Sequence, residues 1–301
     1  MLIRSLSSLG RFFLQTRILG RRKPLLASFK LTYRCNLTCP ACPFHLRADQ
    51  DADITWGQAI ASLDELKRMG CRIVIFEGGE PLLWRDGPHG FDDLCAYARR
   101  RFVCVGATTN GTQTLTVATD VLWASLDGIK ASHDQLRCGS YDQVMANLRA
   151  SAHPRLYVHY TMNRENWRDF PLALSHMMTI PQVKGVTVQF FYPYSQGEAD
   201  LELKRTERAE AIATLIRLKK AGYPILNSRG SLAAMRDNTW RCHEWLLANV
   251  EPDGRLSTGC YVRGRGEINC AACGFTPVAE ASAAYDLKPG ALLAGWRIFL
   301  S

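Results

Sequence analysis

The feature that most constrains this chain is a repeated change of hydrophobic period. From residue 25 onward, short runs rich in β-branched and aromatic residues alternate with longer stretches whose apolar residues recur every three or four positions. The strand-like runs span 25–32, 72–77, 102–108, 121–126, 156–162 and 186–192. Helical patterns span 56–69, 91–101, 141–150 and 170–178, and a long charged one at 203–221 stops at Gly222. Between the third and fourth strands only residues 113–120 are free, so that crossover is short. Repeated βα units imply a parallel sheet with right-handed connections. Six of them predict an α/β fold, a partial (β/α)6 barrel rather than a closed eight-stranded one. Ligands then belong at the C-terminal ends of the strands.

Every distinctive motif falls at such an end. Cys35, Cys39 and Cys42 follow the first strand as C-x3-C-x2-C, "FEGGEP" ends the second, "TTNGT" the third and "SLDG" the fourth. Thiolates at this spacing can hold three irons of a 4Fe–4S cube. The fourth iron then lacks a protein ligand, and an open position distinguishes a catalytic metal site from a structural one. The alternative is a zinc site completed by a distant ligand such as His45.

After about residue 237 the texture becomes loop-like, with glycines and four late cysteines, Cys242, Cys260, Cys270 and Cys273. Four thiolates with a terminal C-x2-C suit a second cluster or a zinc site. The expected division is therefore an N-terminal arm at 1–24, a barrel at 25–236 and a small cysteine-rich metal module at 237–301. Cys71, Cys95, Cys104 and Cys138 are scattered and are expected to pack as small hydrophobes. Asp127 and Asn110 are expected to shape loops, as is His133. His159 is expected to be a satisfied interior side chain. Tyr192 and Tyr194, at the end of the sixth strand, are expected to face the barrel mouth.

The cysteine loop, "FEGGEP", "SLDG" and "HDQLRCGSYDQVMANL", in that order over roughly residues 25–195, resemble the radical S-adenosylmethionine superfamily. The resemblance implies that the open iron is chelated by S-adenosylmethionine, whose cleavage gives a 5′-deoxyadenosyl radical that abstracts a substrate hydrogen. By motif, it implies that Gly78 and Gly79 let backbone approach the cofactor and that Glu80 meets the methionine ammonium. Glu77 would touch the ribose, and Ser125 with Arg137 would hold the carboxylate, which an arginine fork suits. The family commonly has an aromatic residue before the third cysteine; this chain has Ala41, and Phe44 is a candidate to replace its packing. The stretch from Cys242 through Gly254 to Cys260 resembles the auxiliary-cluster region of SPASM and twitch enzymes. A single twitch-like cluster fits better than a full SPASM pair, because further cysteines are lacking.

Composition narrows the partners. The chain is 47% apolar and 22% charged, an ordinary globular balance. Of its net +9, nearly all sits in residues 1–34, which contain basic residues and no acid. The body is close to neutral, which argues against nucleic-acid binding. Clustered cysteines point to a reducing, cytoplasmic compartment. On a helical wheel Leu2, Leu6, Leu9 and Phe13 share a face, with Arg4, Arg11 and Arg22 opposite and Pro24 as a stop. Such an arm can lie peripherally on an anionic membrane, pack on the body, or serve as an organellar transit peptide. The expected electron donor is a flavodoxin or ferredoxin. The arm and the run "RRKPLLASFKLTYRCNLTCPAC" resemble radical enzymes of hopanoid and related lipid pathways, which favours a small or lipid-like substrate. A peptide substrate, usual for SPASM and twitch relatives, is the alternative. The roughly 24 residues before the first strand are too few for a precursor-binding wing. A non-catalytic iron–sulfur or zinc protein is a further alternative.

Overall fold

In the computed structural model, described for residues 2–44, 52–194, 199–262 and 267–301, the alternation from residue 25 becomes one eight-stranded sheet. In chain order come α1 (Leu2–Phe13), a π-helical turn (Leu14–Ile18), β1 (Leu26–Thr32), α2 (Trp56–Met69) and β2 (Ile73–Gly78). A short hairpin of β3 (Arg85–Asp86) and β4 (His89–Gly90) leads into α3 (Phe91–Arg99), β5 (Cys104–Thr109) and β6 (Val121–Ser125). Then follow α4 (Lys130–Leu136), α5 (Tyr141–Ala150), β7 (Leu156–Met162), α6 (Phe170–Met177) and β8 (Val183–Phe190). The chain finishes with α7 (Arg205–Lys220), α8 (Arg229–Met235), β9 (Leu247–Val250), β10 (Leu256–Thr258), α9 (Thr276–Tyr285) and α10 (Pro289–Phe299). The sheet order is β10-β9-β1-β2-β5-β6-β7-β8, parallel throughout except for the β10–β9 pair.

The six strands read from the sequence are the core of this sheet, and β5 connects to β6 without a helix. Local chemistry sets the crossovers. Thr55 caps α2 by accepting from Gln58 N–H, the Gln58 side chain returns to Thr55 N–H, and Gly70 closes the helix at φ 104°. β9 was not anticipated. It adds to the open edge of β1 in parallel, Leu26 facing Leu247 and Phe29 facing Val250, and turns the expected loop-like region into a continuation of the sheet.

The two faces of the strands differ. Outward residues such as Phe29, Phe76, Val105, Leu122, Val158 and Val188 pack under the helices as the main core. The inward face is apolar at the strand N-termini, where Ile73, Ile75, Cys104, Val121, Trp123 and Tyr157 meet Ile298 and Phe299 from the end of α10. Phe299 lies 6.2 Å from the Trp123 ring, and the Tyr157 hydroxyl donates to Arg297 O at 3.2 Å, so α10 plugs the barrel floor. Toward the C-terminal ends the inward residues turn polar and half-exposed: Glu77, Thr108, His159, Thr161, Thr187 and Gln189. That polar end is the mouth.

The arm seats only part of the wheel face read from the sequence. Phe12 and Thr16 are buried against the body while Leu6 stays in solvent. The arm is fixed by Ser8 O, which accepts from Arg72 Nε at 3.4 Å, and by Phe13 stacking on Tyr285. The side chains of Leu2 and Arg4, and all of His45, lie outside the described residues. Among the described residues no helix is long and apolar enough to cross a membrane.

Candidate active site

The cysteine loop is fastened to the end of β2 by backbone. Gly79 N–H donates to Thr32 O at 2.7 Å and Glu80 N–H to Arg34 O at 2.8 Å. A Cβ on Gly78 would lie 2.2 Å from Thr32 O, and one on Gly79 would lie 2.0 Å from Arg34 O. Gly78 also holds φ at +129°, a region suited to glycine. The close approach these glycines permit is thus, first, to the loop that carries the cysteines. Within the loop Cys42 N–H donates to Cys39 O at 3.1 Å, and Phe44 stacks on Tyr33. Cys35 Sγ accepts from Leu37 N–H at 3.4 Å and from Asn110 Nδ2 at 3.5 Å.

Asn110 therefore does more than turn the chain. The left-handed position belongs to Gly111, at φ +79°. Asn110 is buried, donates its backbone N–H to Glu80 Oε2 at 2.7 Å and its amide to Asn36 Oδ1 at 2.8 Å. Glu80 is fully buried; its Oε1 accepts from Thr109 Oγ1 at 2.7 Å and from Leu82 N–H at 3.1 Å. Burial pushes its pKa up to about 7, although these three donors pull it down. A carboxylate offers about four acceptor positions, so one remains for a cationic donor.

Arg137 sits in the C-cap of α4. Its Nε donates to Asp127 Oδ2 at 2.5 Å, which among the described residues leaves the two Nη groups free to grip an acceptor. Burial acts to lower its pKa, but Asp127, Cys39 and Cys42 hold the guanidinium charged. Asp127 also accepts Thr161 N–H at 2.6 Å on its other oxygen, the loop-fixing role expected of it. His133 is buried, accepts Asp127 N–H at 3.1 Å and lies 3.0 Å from Ser140 Oγ. Burial lowers its pKa to about 4, so it is neutral at pH 7 and shapes the loop as expected. Ser125 ends β6 on the inward face, beside His159 of β7.

Glu77 faces the lumen, where it accepts from Ser28 Oγ and lies 3.9 Å from the buried Lys30 Nζ. Lys30 also reaches Asn249 and Glu251, each at 3.3 Å, which ties β1 and the Glu77 wall to β9. His159 lies 3.3 Å from Thr187 Oγ1 on the same wall. Cys71, Cys95 and Cys104 are fully buried, as expected. Cys138 is not: it is exposed, holds φ 54° and lies 3.7 Å from Thr38 Oγ1 beside the cysteine loop. Its neighbour Gly139 also has positive φ, so the tight turn after Arg137 keeps the thiol out of the core.

The four late cysteines converge near the end of β8. Cys242 is exposed as a residue, but partial desolvation of its thiol raises its pKa, and Cys273, Cys260 and Cys270 add to the rise by proximity. A Cβ on Gly274 would lie 2.2 Å from Phe190 O, so only glycine lets the C-x2-C turn dock there. Buried Arg208 donates to Cys273 O at 2.6 Å, and Asn238 Nδ2 to Ala271 O at 2.6 Å. The Tyr192 hydroxyl donates to Glu267 O at 2.7 Å and accepts Asn269 N–H at 2.9 Å. Tyr192 thus braces this loop instead of opening onto the mouth. Among the described residues no group of His, Cys, Asp or Glu closes around a single metal ion.

The donor set suits an anionic iron–sulfur cluster on the first loop. Three half-buried thiols share one short loop, N–H groups point at Cys35, and the Arg137 charge favours the thiolate of Cys39. Burial holds Cys39 up at about 12, so loading the site must release protons.

Residues 29–175 match the Radical SAM superfamily. The chain is 29% identical over 163 residues to Fe-coproporphyrin III synthase of Methanosarcina barkeri, covering 50% of this chain and 40% of that protein. It is 31% identical over 160 residues to mycofactocin maturase MftC of Mycobacterium tuberculosis, covering 49% of this chain and 40% of the relative. The matched stretch is thus less than half the length of either relative. The fold is like that of Streptococcus suis SuiB bound to S-adenosylmethionine, with TM-score 0.65 and 12% identity, over 92% of this chain and 69% of that one.

Proposed function

Since the chain belongs to the radical S-adenosylmethionine superfamily, we propose that this enzyme abstracts hydrogen from a small or lipid-derived substrate held in the polar mouth. The observation that carries the reading is the pairing of Glu80, with an acceptor position to spare, and the Arg137 fork, both beside the Cys35–Cys39–Cys42 loop. When bound on that loop, the 4Fe–4S cluster and S-adenosylmethionine supply the radical chemistry. The chain's own groups orient the nucleoside. Glu80 takes the methionine ammonium, which offsets the burial of its charge. Arg137 and Ser125 take the carboxylate, and Glu77 the ribose hydroxyls. Gly78 and Gly79 keep backbone close to the loop. Thr161, Thr187, Gln189 and His159 line the wall that the substrate would meet.

Cys242, Cys260, Cys270 and Cys273 are read as ligands of one auxiliary iron–sulfur cluster, supported by their mutual proximity. A flavodoxin or ferredoxin is the electron donor in this reading, and residues 1–24 give peripheral membrane contact. The second reading is a peptide substrate. It is favoured by the likeness to MftC, a maturase, and by the fold shared with SuiB bound to its precursor peptide.

Anaerobically reconstituted protein given dithionite and S-adenosylmethionine should release 5′-deoxyadenosine. No release from protein with a spectroscopically correct cluster would overturn the proposal.

A further inference from the structure

At the end opposite the mouth, α10 plugs the barrel floor, and the arm is held to Arg72, at the start of β2, and to Tyr285, at the end of α9; each helix leaves apolar side chains in solvent. α1 and its π turn seat Phe12 and Thr16 on the body; on the far side, four residues apart, Leu14 and Ile18 are 50% and 73% exposed. α10 seats Ala291, Ala294 and Ile298 and shows Leu293 and Trp296, 51% and 38% exposed, to solvent. Among the described residues ten large apolar side chains are exposed, and eight of them lie on the arm or between residues 287 and 296. Such concentration marks an interaction surface.

Where the arm meets the end of α9 there is a cavity of about 300 Å³. Arg17, Arg22 and Arg241 line it, with Trp245 and Tyr285 as an aromatic wall. The Arg17 guanidinium lies 5.2 Å from the Tyr285 ring centre and donates to Tyr285 O. The cavity's one acid, Asp286, is engaged by His243 Nε2 at 2.9 Å. Among the described residues Arg17, Arg22 and Arg241 are in no salt bridge. Three arginines without a counter-charge, beside exposed leucine and isoleucine, complement a phosphate that is attached to apolar chains.

We propose that this face docks on an anionic phospholipid bilayer, with the arginine cavity taking a lipid phosphate and the apolar side chains of both helices entering the headgroup–acyl boundary. The proposal rests on the peripheral contact read for the arm and adds a second helix and a built headgroup site. The charge argues for lipid over protein: residues 1–24 carry basic residues without an acid, while the body is nearly neutral. Docked this way, the mouth points to the aqueous phase, so substrate arrives from water.

The test is co-sedimentation of the full chain with phosphatidylcholine vesicles, with and without a phosphatidylglycerol fraction, at low salt. Wild type should bind the phosphatidylglycerol vesicles and be released by salt. Arg22→Gln and Arg241→Gln should each weaken binding about fivefold. Leu14→Ser with Ile18→Ser, and separately Leu293→Ser with Trp296→Ser, should each weaken it about tenfold or more. All these positions are exposed, and near-wild-type circular dichroism will show that the variants fold. Unchanged binding in the arginine variants or the α10 variant, with loss in the arm variant, would overturn the headgroup site and second helix but leave the arm contact standing. No preference of wild type for phosphatidylglycerol would overturn both. A dimer that Trp296→Ser dissociates, without vesicle binding, would assign the face to a second copy and also overturn the proposal.

Discussion

Glu80 allows the site to be read through protons instead of turnover. Burial raises its pKa from 4.5 to about 7. Below pH 4.5 native and unfolded chains both carry the proton, and the buried group costs nothing. As pH rises from 4.5 to about 7 the unfolded chain gives up its proton while the native state keeps it, so native stability falls. The loss levels off above pH 7 at about 3 kcal/mol, at 1.36 kcal/mol per pKa unit. Glu80→Gln abolishes this titration. Its amide must point one N–H at a donor, Asn110 N–H on one side or Thr109 and Leu82 on the other, which costs about 1–3 kcal/mol. The variant should therefore match wild type near pH 8 and be less stable near pH 5, as measured by urea unfolding of protein without cluster. Other titrating groups cancel in the difference. Binding gives the second reading. If the ammonium of S-adenosylmethionine needs Glu80 ionised, wild type releases about half a proton on binding at pH 7 and nearly a whole one at pH 6. Calorimetry in buffers of different ionisation heat will detect this. In Glu80→Gln the release should vanish and affinity should fall by about 10- to 150-fold, equivalent to 1.5–3 kcal/mol. A wild-type-minus-variant stability that does not change between pH 5 and 8, together with equal proton release, would refute the assignment.

Three further outcomes are expected. Gly79→Ala puts a methyl 2.0 Å from Arg34 O; it should cost about 1–3 kcal/mol in thermal unfolding, with iron lost from the first loop on reconstitution. Asp127→Ala leaves Arg137 without its partner and Thr161 N–H without its acceptor. It should cost about 3–5 kcal/mol, while Asp127→Asn, which keeps an acceptor, costs less. In a Cys35→Ala, Cys39→Ala, Cys42→Ala protein, iron should persist on the late cysteines; near-complete loss of iron with zinc retained would exclude the auxiliary cluster.

The barrel was legible because the βα period repeats and its motifs fall at strand ends. The span of α2 was legible from its period, and Thr55 and Gly70 cap it through local backbone chemistry. β9 was not legible: four residues, Leu247–Val250, carry no period, and their partner β1 lies at the other end of the chain. The floor plug was not legible for a similar reason: the stretch after residue 237 reads as loop-like, and Ile298 and Phe299 meet strands that lie far away along the chain. Within the site, the motif pointed to Glu80 and Arg137. It did not show that Asn110 bridges Glu80 to Cys35, because that role depends on β2 and β5 lying side by side. Which arm residues meet the body was not legible, and no pattern foretells a π turn at Leu14–Ile18.

The pairing of β9 with β1 makes the tail inseparable from the catalytic half. A chain cut before Leu247 would leave the outer rim of β1 with an unmatched row of amide and carbonyl groups. Bare rims of that kind recruit strands from other molecules, so the shortened protein should clump instead of yielding a minimal soluble enzyme. Lys30 would meanwhile lose Asn249 and Glu251, shifting the balance of its buried charge onto Glu77, 3.9 Å away.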